Sequence, residues 1–301
     1  MRDKFFITGA NGQLGRDLIH ELTSRNFECV ASDIGENYSG YEPCEYVKLD
    51  ITDYEEVFAA MKKFSPSRII HCAAWTAVDA AEDDENRNKV YAVNVVGTEN
   101  IAKVCAEINS IMTYISTDYI FDGKGSRAWE PDDESFAPLN FYGQTKLEGE
   151  LAVKKYLKKF FIVRIAWVFG ANGNNFVKTM LKISQSHDTI RVVNDQIGTP
   201  TYTPDLAKLL ADINMTEKFG IYHATNEGGY ISWYDFAVEI FKQANINVNV
   251  IPVSTLEYGL SKAKRPFNSR LDKTKLKASG FELLPDWRDA LRRYLLQNGT
   301  N

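Results

Sequence analysis

The chain has 301 residues, of which 44% are apolar and 25% charged, with a formal net charge of −5. At about 100–200 residues per domain, that is one large domain or two ordinary ones. The balance excludes a disordered tail, a collagen and a disulfide miniprotein, and the negative charge leaves no basic field to collect nucleic-acid phosphates. The longest apolar run, FFIVRIAWVF (160–169), is too short to span a bilayer and carries Arg164. The opening MRDKFFITGANG has no apolar core of signal-peptide length, so a cytoplasmic protein is expected. Cys29, Cys44, Cys72 and Cys105 form no C-x-x-C, and His20, His71, His187 and His223 form no H-x-x-x-H. The thiols read as apolar filler and no metal site is expected.

Short apolar runs alternate with helical periodicity through the first half. KFFIT (4–8) is a strand. LGRDLIHELTSRN (14–26) is a helix with Leu14, Leu18, Ile19 and Leu22 on one face. Strands follow at 28–33, 46–50, 67–74 and 111–117, with helices at about 54–64 and 85–108 between them. Connections of that length are crossovers, so the sheet is parallel and covered on both faces. Residues 122–140, rich in Asp, Glu, Pro and Gly, read as a surface loop. A helix over about 142–159 leads into a strand at 160–166. Beyond Gly170 strands shorten and loops lengthen. The fold class is therefore α/β: a Rossmann-type, doubly wound parallel sheet with a smaller, mixed α/β C-terminal substrate domain. The first domain takes residues 1–169, with part of about 190–225 returning to it. The second takes mainly 170–301.

The segment TGANGQLG joins the first strand to the first helix and places Gly9, Gly12 and Gly15 as G-x-x-G-x-x-G. Glycines let the backbone approach a ligand, and the helix N-terminus offers free N–H groups to a pyrophosphate. The spacing alone is weak evidence; its place after the first strand of a βαβ unit makes it specific. Asp33 ends the second strand, where a carboxylate can accept from an adenosine ribose. It would repel a 2′-phosphate, and Ile34 beside it offers no compensating cation. Asp50 ends the third strand, as a contact to adenine or as part of the next helix's cap. Ala73 and Ala74 are small enough to let a cofactor lie over the sheet edge. GANG occurs again at 170–173 without a matching third glycine and reads as a loop.

Tyr142 and Lys146 stand at i and i+4 on one helix face. An ammonium beside a phenol favours the phenolate, so Lys146 is expected to lower the Tyr142 pKa and fit it as a general acid near neutral pH. With 15 tyrosines and 35 basic residues in 301 positions, about 1.7 such pairs arise by chance, so context must decide. Tyr258 and Lys262 form another pair, to which no chemistry is assigned. Tyr142 follows a strand ending in Ser116–Thr117, at the sheet edge where ligands lie. The Thr117 hydroxyl can bond the same carbonyl, or it can simply cap a turn.

TGANGQLG, HCAAWTAVDAAE, YISTDYIFDG, YGQTKLEGE, NDQIGTPTYTPDLA and RPFNSRLD together resemble the extended short-chain dehydrogenase/reductases. Within them they are most similar to the dTDP-4-dehydrorhamnose reductases, from Phe6 to about Trp287. The resemblance implies NAD(P)H-dependent reduction of a C4 keto group on a dTDP-sugar, with either NADPH or NADH as cofactor and a homodimer as one arrangement. It implies Tyr142 as proton donor, Lys146 on the nicotinamide ribose and Thr117 on the sugar carbonyl. Gly12, Gln13 and Leu14 would contact the pyrophosphate, and Asp33, Asp50, Ile51, Ala74, Trp75 and Thr76 the rest of the dinucleotide. Asp118 and Trp167 would face the sugar, and Asn174, Asn175, Gln196 and Arg265 the dTDP-sugar. Asn94 resembles an asparagine that supports the active site in relatives; it also reads as a helix-packing residue. Some relatives hold magnesium at a dimer interface, but no matching glutamates are placed here, and none is expected. Two other readings share the front half: a nucleotide-sugar epimerase or dehydratase, and a non-catalytic subunit resembling the regulatory subunit of methionine adenosyltransferase.

Overall fold

Phe5, Phe6 and Ile7 are fully buried in the first strand, β1 (Lys4–Thr8), because that strand lies mid-sheet with helices on both faces. The computed structural model describes residues 3–40 and 44–299. The strands β2 (Glu28–Asp33), β3 (Glu45–Lys48), β4 (Arg68–His71), β5 (Ile111–Thr117) and β6 (Phe160–Ile165) pair in parallel with β1 in the order β6-β5-β4-β1-β2-β3. A seventh strand, Gly220–His223, adds in parallel beside β6. The order reverses at β1, which pairs with both β2 and β4, so a crevice opens between their carboxyl ends.

Register sorts the two faces. Val30, Phe6, Ile69 and Met112 stand side by side across four strands. They pack under the helices α2 (Tyr54–Phe64) and α4 (Thr98–Glu107) through Val57, Met61, Ile101 and Val104. Phe5, Ile7, Ala31 and Ile70 face the other way, against α1 (Gln13–Ser24) and the helix Thr203–Asn214. That helix and the strand after it come from the second half of the chain. The remaining C-terminal elements build their own core, in which Phe169, Phe236, Ile240, Trp287 and Leu291 pack with the parallel strand pair Thr189–Val193 and Asn249–Val253.

The helix expected over 85–108 is interrupted. α3 (Asp84–Tyr91) and α4 are joined by a π-helical stretch, Ala92–Gly97. An i→i+5 turn inserts one residue and re-aims the helix beyond it, and such turns cluster at functional sites. Here it carries Asn94. The fourth strand is also shorter than expected, ending at His71, because the chain leaves the sheet at the crevice. Among the described residues no helix is long and apolar enough to cross a membrane. Cys29 and Cys105 are buried free thiols, and burial pushes the Cys29 and Cys72 thiols up to about 12. They behave as protonated apolar filler.

Candidate active site

The glycine turn is built by close approach. Gly9 adopts φ +67, and a Cβ there would lie 2.6 Å from the Ala73 amide nitrogen. Only glycine lets β1 and the segment after β4 close the floor of the crevice. α1 then starts at Gly12 with no side-chain cap, which leaves its first N–H groups available to an anion. The crevice is a cleft of about 460 Å³ lined by Gly9, Asn11, Gly12, Asp33, Asp50, Ile51, Ala73, Ala74 and Trp75, among others. Uncapped N–H groups, a small-residue floor and a carboxylate at the end of β2 suit an extended dinucleotide.

Several expected cofactor residues are also engaged elsewhere. Asp33 accepts from the amides of Asn11 and Ile34 at 2.9 and 2.8 Å. Asp50 accepts from both the amide and the hydroxyl of Thr52. Leu14 is buried in the core and Gly15 packs on Gly9, so only their backbone can serve a ligand. Gln13 donates to the Asn174 carbonyl and accepts from the Asn175 amide. Asn175 also caps the helix Phe176–Ile183 through the Lys178 amide. Thr76 is exposed, and lies outside the residues that line the cleft.

The helix α5 (Phe141–Tyr156) is capped by Asn140, whose side chain accepts from the Gly143 amide at 2.8 Å. A Cβ on Gly143 would lie 2.3 Å from the Tyr119 carbonyl, so this glycine lets α5 press against the turn that follows β5. Tyr142 is thereby brought to Thr117, with Lys146 one turn further along α5. The Lys146 ammonium is buried. It donates to the Ile115 carbonyl at 2.8 Å and lies 4.1 Å from the centre of the Tyr114 ring. Burial lowers its pKa to about 7, with the Glu150 carboxylate pulling it back up.

The expected depression of the Tyr142 pKa is not what the structure shows. Burial and the nearby Asp118 carboxylate push the phenol above its usual value, and a hydrogen bond with Thr117 pulls the other way. The physical reason is burial first and the Asp118 carboxylate second; the Lys146 ammonium, bonded to Ile115 and set over the Tyr114 ring, does not offset them. Asp118 is itself buried. Its Oδ1 accepts from Thr117 at 3.1 Å, its Oδ2 has no partner, and desolvation raises its pKa to about 6.

A directed hydrogen-bond chain ties these parts together. Thr98 donates to the Asn94 carbonyl at 2.7 Å, so its hydroxyl must accept from His71 Nε2. His71 Nδ1 then accepts from Thr8, at 2.7 Å. Burial and Lys146 hold this imidazole neutral, with a pKa of about 3. Asn94 accepts from the Trp75 amide and donates to the Trp75 carbonyl and to Thr145, which donates to the Tyr142 carbonyl. The glycine turn, the π-helical stretch and the helix carrying Tyr142 are thus one network.

A second cleft, about 310 Å³, opens towards the C-terminal lobe. It is lined by Asp79, Phe176, Arg191, Gln196, Trp233, Tyr258 and Arg265, among others. The Tyr119 ring stands edge-on to Tyr142 at 5.7 Å and its hydroxyl meets the guanidinium of Arg265, which lines this second cleft. Arg265 donates from two nitrogens to Asp79, at 3.0 and 2.7 Å. Trp167 sits at φ +50, unusual for a bulky residue, and stacks on Trp233 at 3.7 Å. Sequence reasoning missed Asp79, Phe176, Arg191 and Trp233, which belong to no short spacing motif. It also set Tyr258 aside, and the structure puts Tyr258 on the wall of this cleft, while Lys262 pairs with Asp83.

A family profile, RmlD substrate binding domain, matches residues 3–299. The chain belongs to the dTDP-4-dehydrorhamnose reductase family of extended short-chain dehydrogenase/reductases. It is 41% identical to dTDP-4-dehydrorhamnose reductase of Aggregatibacter actinomycetemcomitans, covering 96% of this chain and 97% of that one. To the Streptomyces griseus reductase it is 39% identical, covering 96% and 92%. A crystal structure of the Bacillus anthracis reductase in complex with NADP is similar at a TM-score of 0.90 and 39% identity, covering 99% of this chain and 100% of that one.

Proposed function

We infer that this chain reduces the C4 keto group of dTDP-4-dehydro-β-L-rhamnose to give dTDP-L-rhamnose, using NADPH or NADH. The observation that supports the reading is the hydrogen bond between Tyr142 and Thr117 at the carboxyl end of β5, with Lys146 one turn along α5, in a chain whose first glycine turn leaves a helix N-terminus uncapped. The nicotinamide supplies the hydride when bound. This chain's own residues hold it through the α1 N-terminus, Asp33 and the Ala73–Trp75 floor, with Lys146 reaching the ribose. Tyr142, kept protonated by burial and Asp118, gives its proton to the oxygen that gains charge. Thr117, on turning its hydroxyl proton from Asp118, donates to the same oxygen. The second cleft takes the nucleotide-sugar, with Arg265 and Arg191 toward its phosphates and Gln196, Trp167 and Asp118 toward the ring and base. Orientation of the two reactants supplies much of the rate.

Incubation with the keto-sugar and NADPH tests the reading. Loss of nicotinamide absorbance with one sugar reduced per NADPH supports it. A changed sugar with no net cofactor oxidation would instead mark an epimerase, which holds and recycles its cofactor. Turnover also separates the enzyme from a regulatory subunit that keeps only the fold. We place the protein in the cytoplasm, where NADPH and sugar nucleotides are made. Sedimentation of the purified chain tests the homodimer implied by the resemblance.

A further inference from the structure

We propose that Arg16, oriented by Ser39 and by Asn172 of the opposite lobe, is the residue that recognises the 2′-phosphate of NADPH. This rests on reading the crevice as the dinucleotide site. Asp33 read alone disfavours NADPH, since its carboxylate faces the adenosine ribose position and would repel a phosphate there. The structure supplies a counter-charge that the sequence around Asp33 lacks.

Arg16 follows Gly15 in the first turn of α1, and its side chain reaches the loop after β2. One end of its guanidinium donates to Asn172 Oδ1 at 3.0 Å and the other to the Ser39 hydroxyl. Both partners are neutral, so neither offsets the positive charge, and its Nε is buried with no hydrogen-bond partner. Ser39 in turn bonds Asn11 Oδ1 through its amide and its hydroxyl, at 2.9 and 2.8 Å. Asn11 lines the crevice next to Asp33, to which its own amide donates. A permanently charged, forked donor therefore stands one hydrogen-bonded side chain away from the ribose edge of the cleft. The two Asp33 oxygens are meanwhile occupied by backbone amides.

The second GANG acquires a role in this arrangement. It is the loop that brings Asn172 to Arg16. Lys178 fastens it through the carbonyls of Ala171 and Gly173, at 2.6 and 2.7 Å, and Gln13 joins it to the start of α1. Recognition of the phosphate is thus shared between the lobes.

Equilibrium binding of NADP⁺ and NAD⁺ to the full chain, by titration calorimetry at low and high salt, tests the proposal. In Arg16→Met the NADP⁺ affinity should fall about 10- to 100-fold, as expected for a lost charged hydrogen bond, and become less salt-dependent. NAD⁺ affinity should stay within about twofold. Asn172→Ala should weaken NADP⁺ a few-fold and spare NAD⁺. Equal losses for both dinucleotides in Arg16→Met, or none for either, would overturn the assignment. Arg16→Lys, which keeps the charge but not the fork, gives the same NADP⁺-selective loss in a smaller amount if the Met variant does not fold. A wild-type chain that binds neither dinucleotide would refute the reading of the crevice itself.

Discussion

Replacing Lys146 by Met should stabilise the fold while removing most activity. The ammonium is buried, and burial brings its pKa from 10.5 to about 7. At about 1.4 kcal/mol for each tenfold change in proton affinity, holding the charge inside costs about 5 kcal/mol. Methionine relieves that cost but leaves the Ile115 carbonyl without its 2.8 Å donor, a loss of about 1–3 kcal/mol. The net gain at pH 6 is about 2–4 kcal/mol. Its pH dependence has a definite sign. The folded pKa is depressed, so between pH 7 and 10.5 the unfolded chain binds the extra proton and wild-type stability climbs with pH. The groups facing Lys146 are Glu150, Cys72, Tyr114 and the neutral His71. Cys72 and Tyr114 stay protonated over the range measured. Urea unfolding at pH 6, 8 and 9.5 should therefore show the variant's advantage shrinking as pH rises, while turnover falls at least about 100-fold. A stability difference that stays level or widens with pH would refute the reasoning.

Tyr142→Phe should lower kcat by about 10²–10⁴ and leave the NADPH dissociation constant within about twofold, measured by stopped-flow turnover and titration. Asn94→Ala removes three hydrogen bonds at a fully buried position and strands both polar groups of Trp75. It should cost about 2–4 kcal/mol in urea unfolding and reduce kcat more than it changes KM for NADPH. Arg164→Met leaves Glu150 as an unpaired charge at a site with no solvent exposure, a loss of about 3–5 kcal/mol by thermal unfolding. Arg164→Met with Glu150→Leu should recover most of that loss, and failure to recover would mean the guanidinium's bond to the Pro131 carbonyl matters more than the pair.

The front half of the fold was legible because its signals are local. Near-continuous apolar strands, glycines at a strand-to-helix turn and an acidic residue at the end of β2 each reflect one backbone constraint. The interruption at Ala92–Gly97 was not legible, since its cause is tertiary: Asn94 turns to satisfy Trp75 and Thr145, which lie far away in sequence. The second cleft was only partly legible for the same reason. Asp79 meets Arg265 across 186 positions, and Phe176, Trp233 and Tyr258 come from three separate elements. The cofactor side shows a third limit. The charge of Asp33 is readable from the sequence, but not that Ser39 and Asn172, from distant segments, would orient Arg16 at the start of α1.

The departure at Tyr142 follows from one cause acting with opposite signs. Burial disfavours any charge, so it raises the phenol and lowers the ammonium. A helical Tyr-x-x-x-Lys pair read as sequence suggests a charged lysine drawing the proton off the phenol. Inside this site the two charged forms are both expensive, and the resting pair is close to a neutral phenol beside an amine that titrates near pH 7. That state suits a reductase, because the acid must carry its proton when the alkoxide forms. With cofactor bound, Lys146 would hold the nicotinamide ribose, its charged form would be favoured again, and a phenolate left on Tyr142 would have a cation one turn away. On that reading the lysine would act after the chemical step, helping Tyr142 through the interval before it regains a proton.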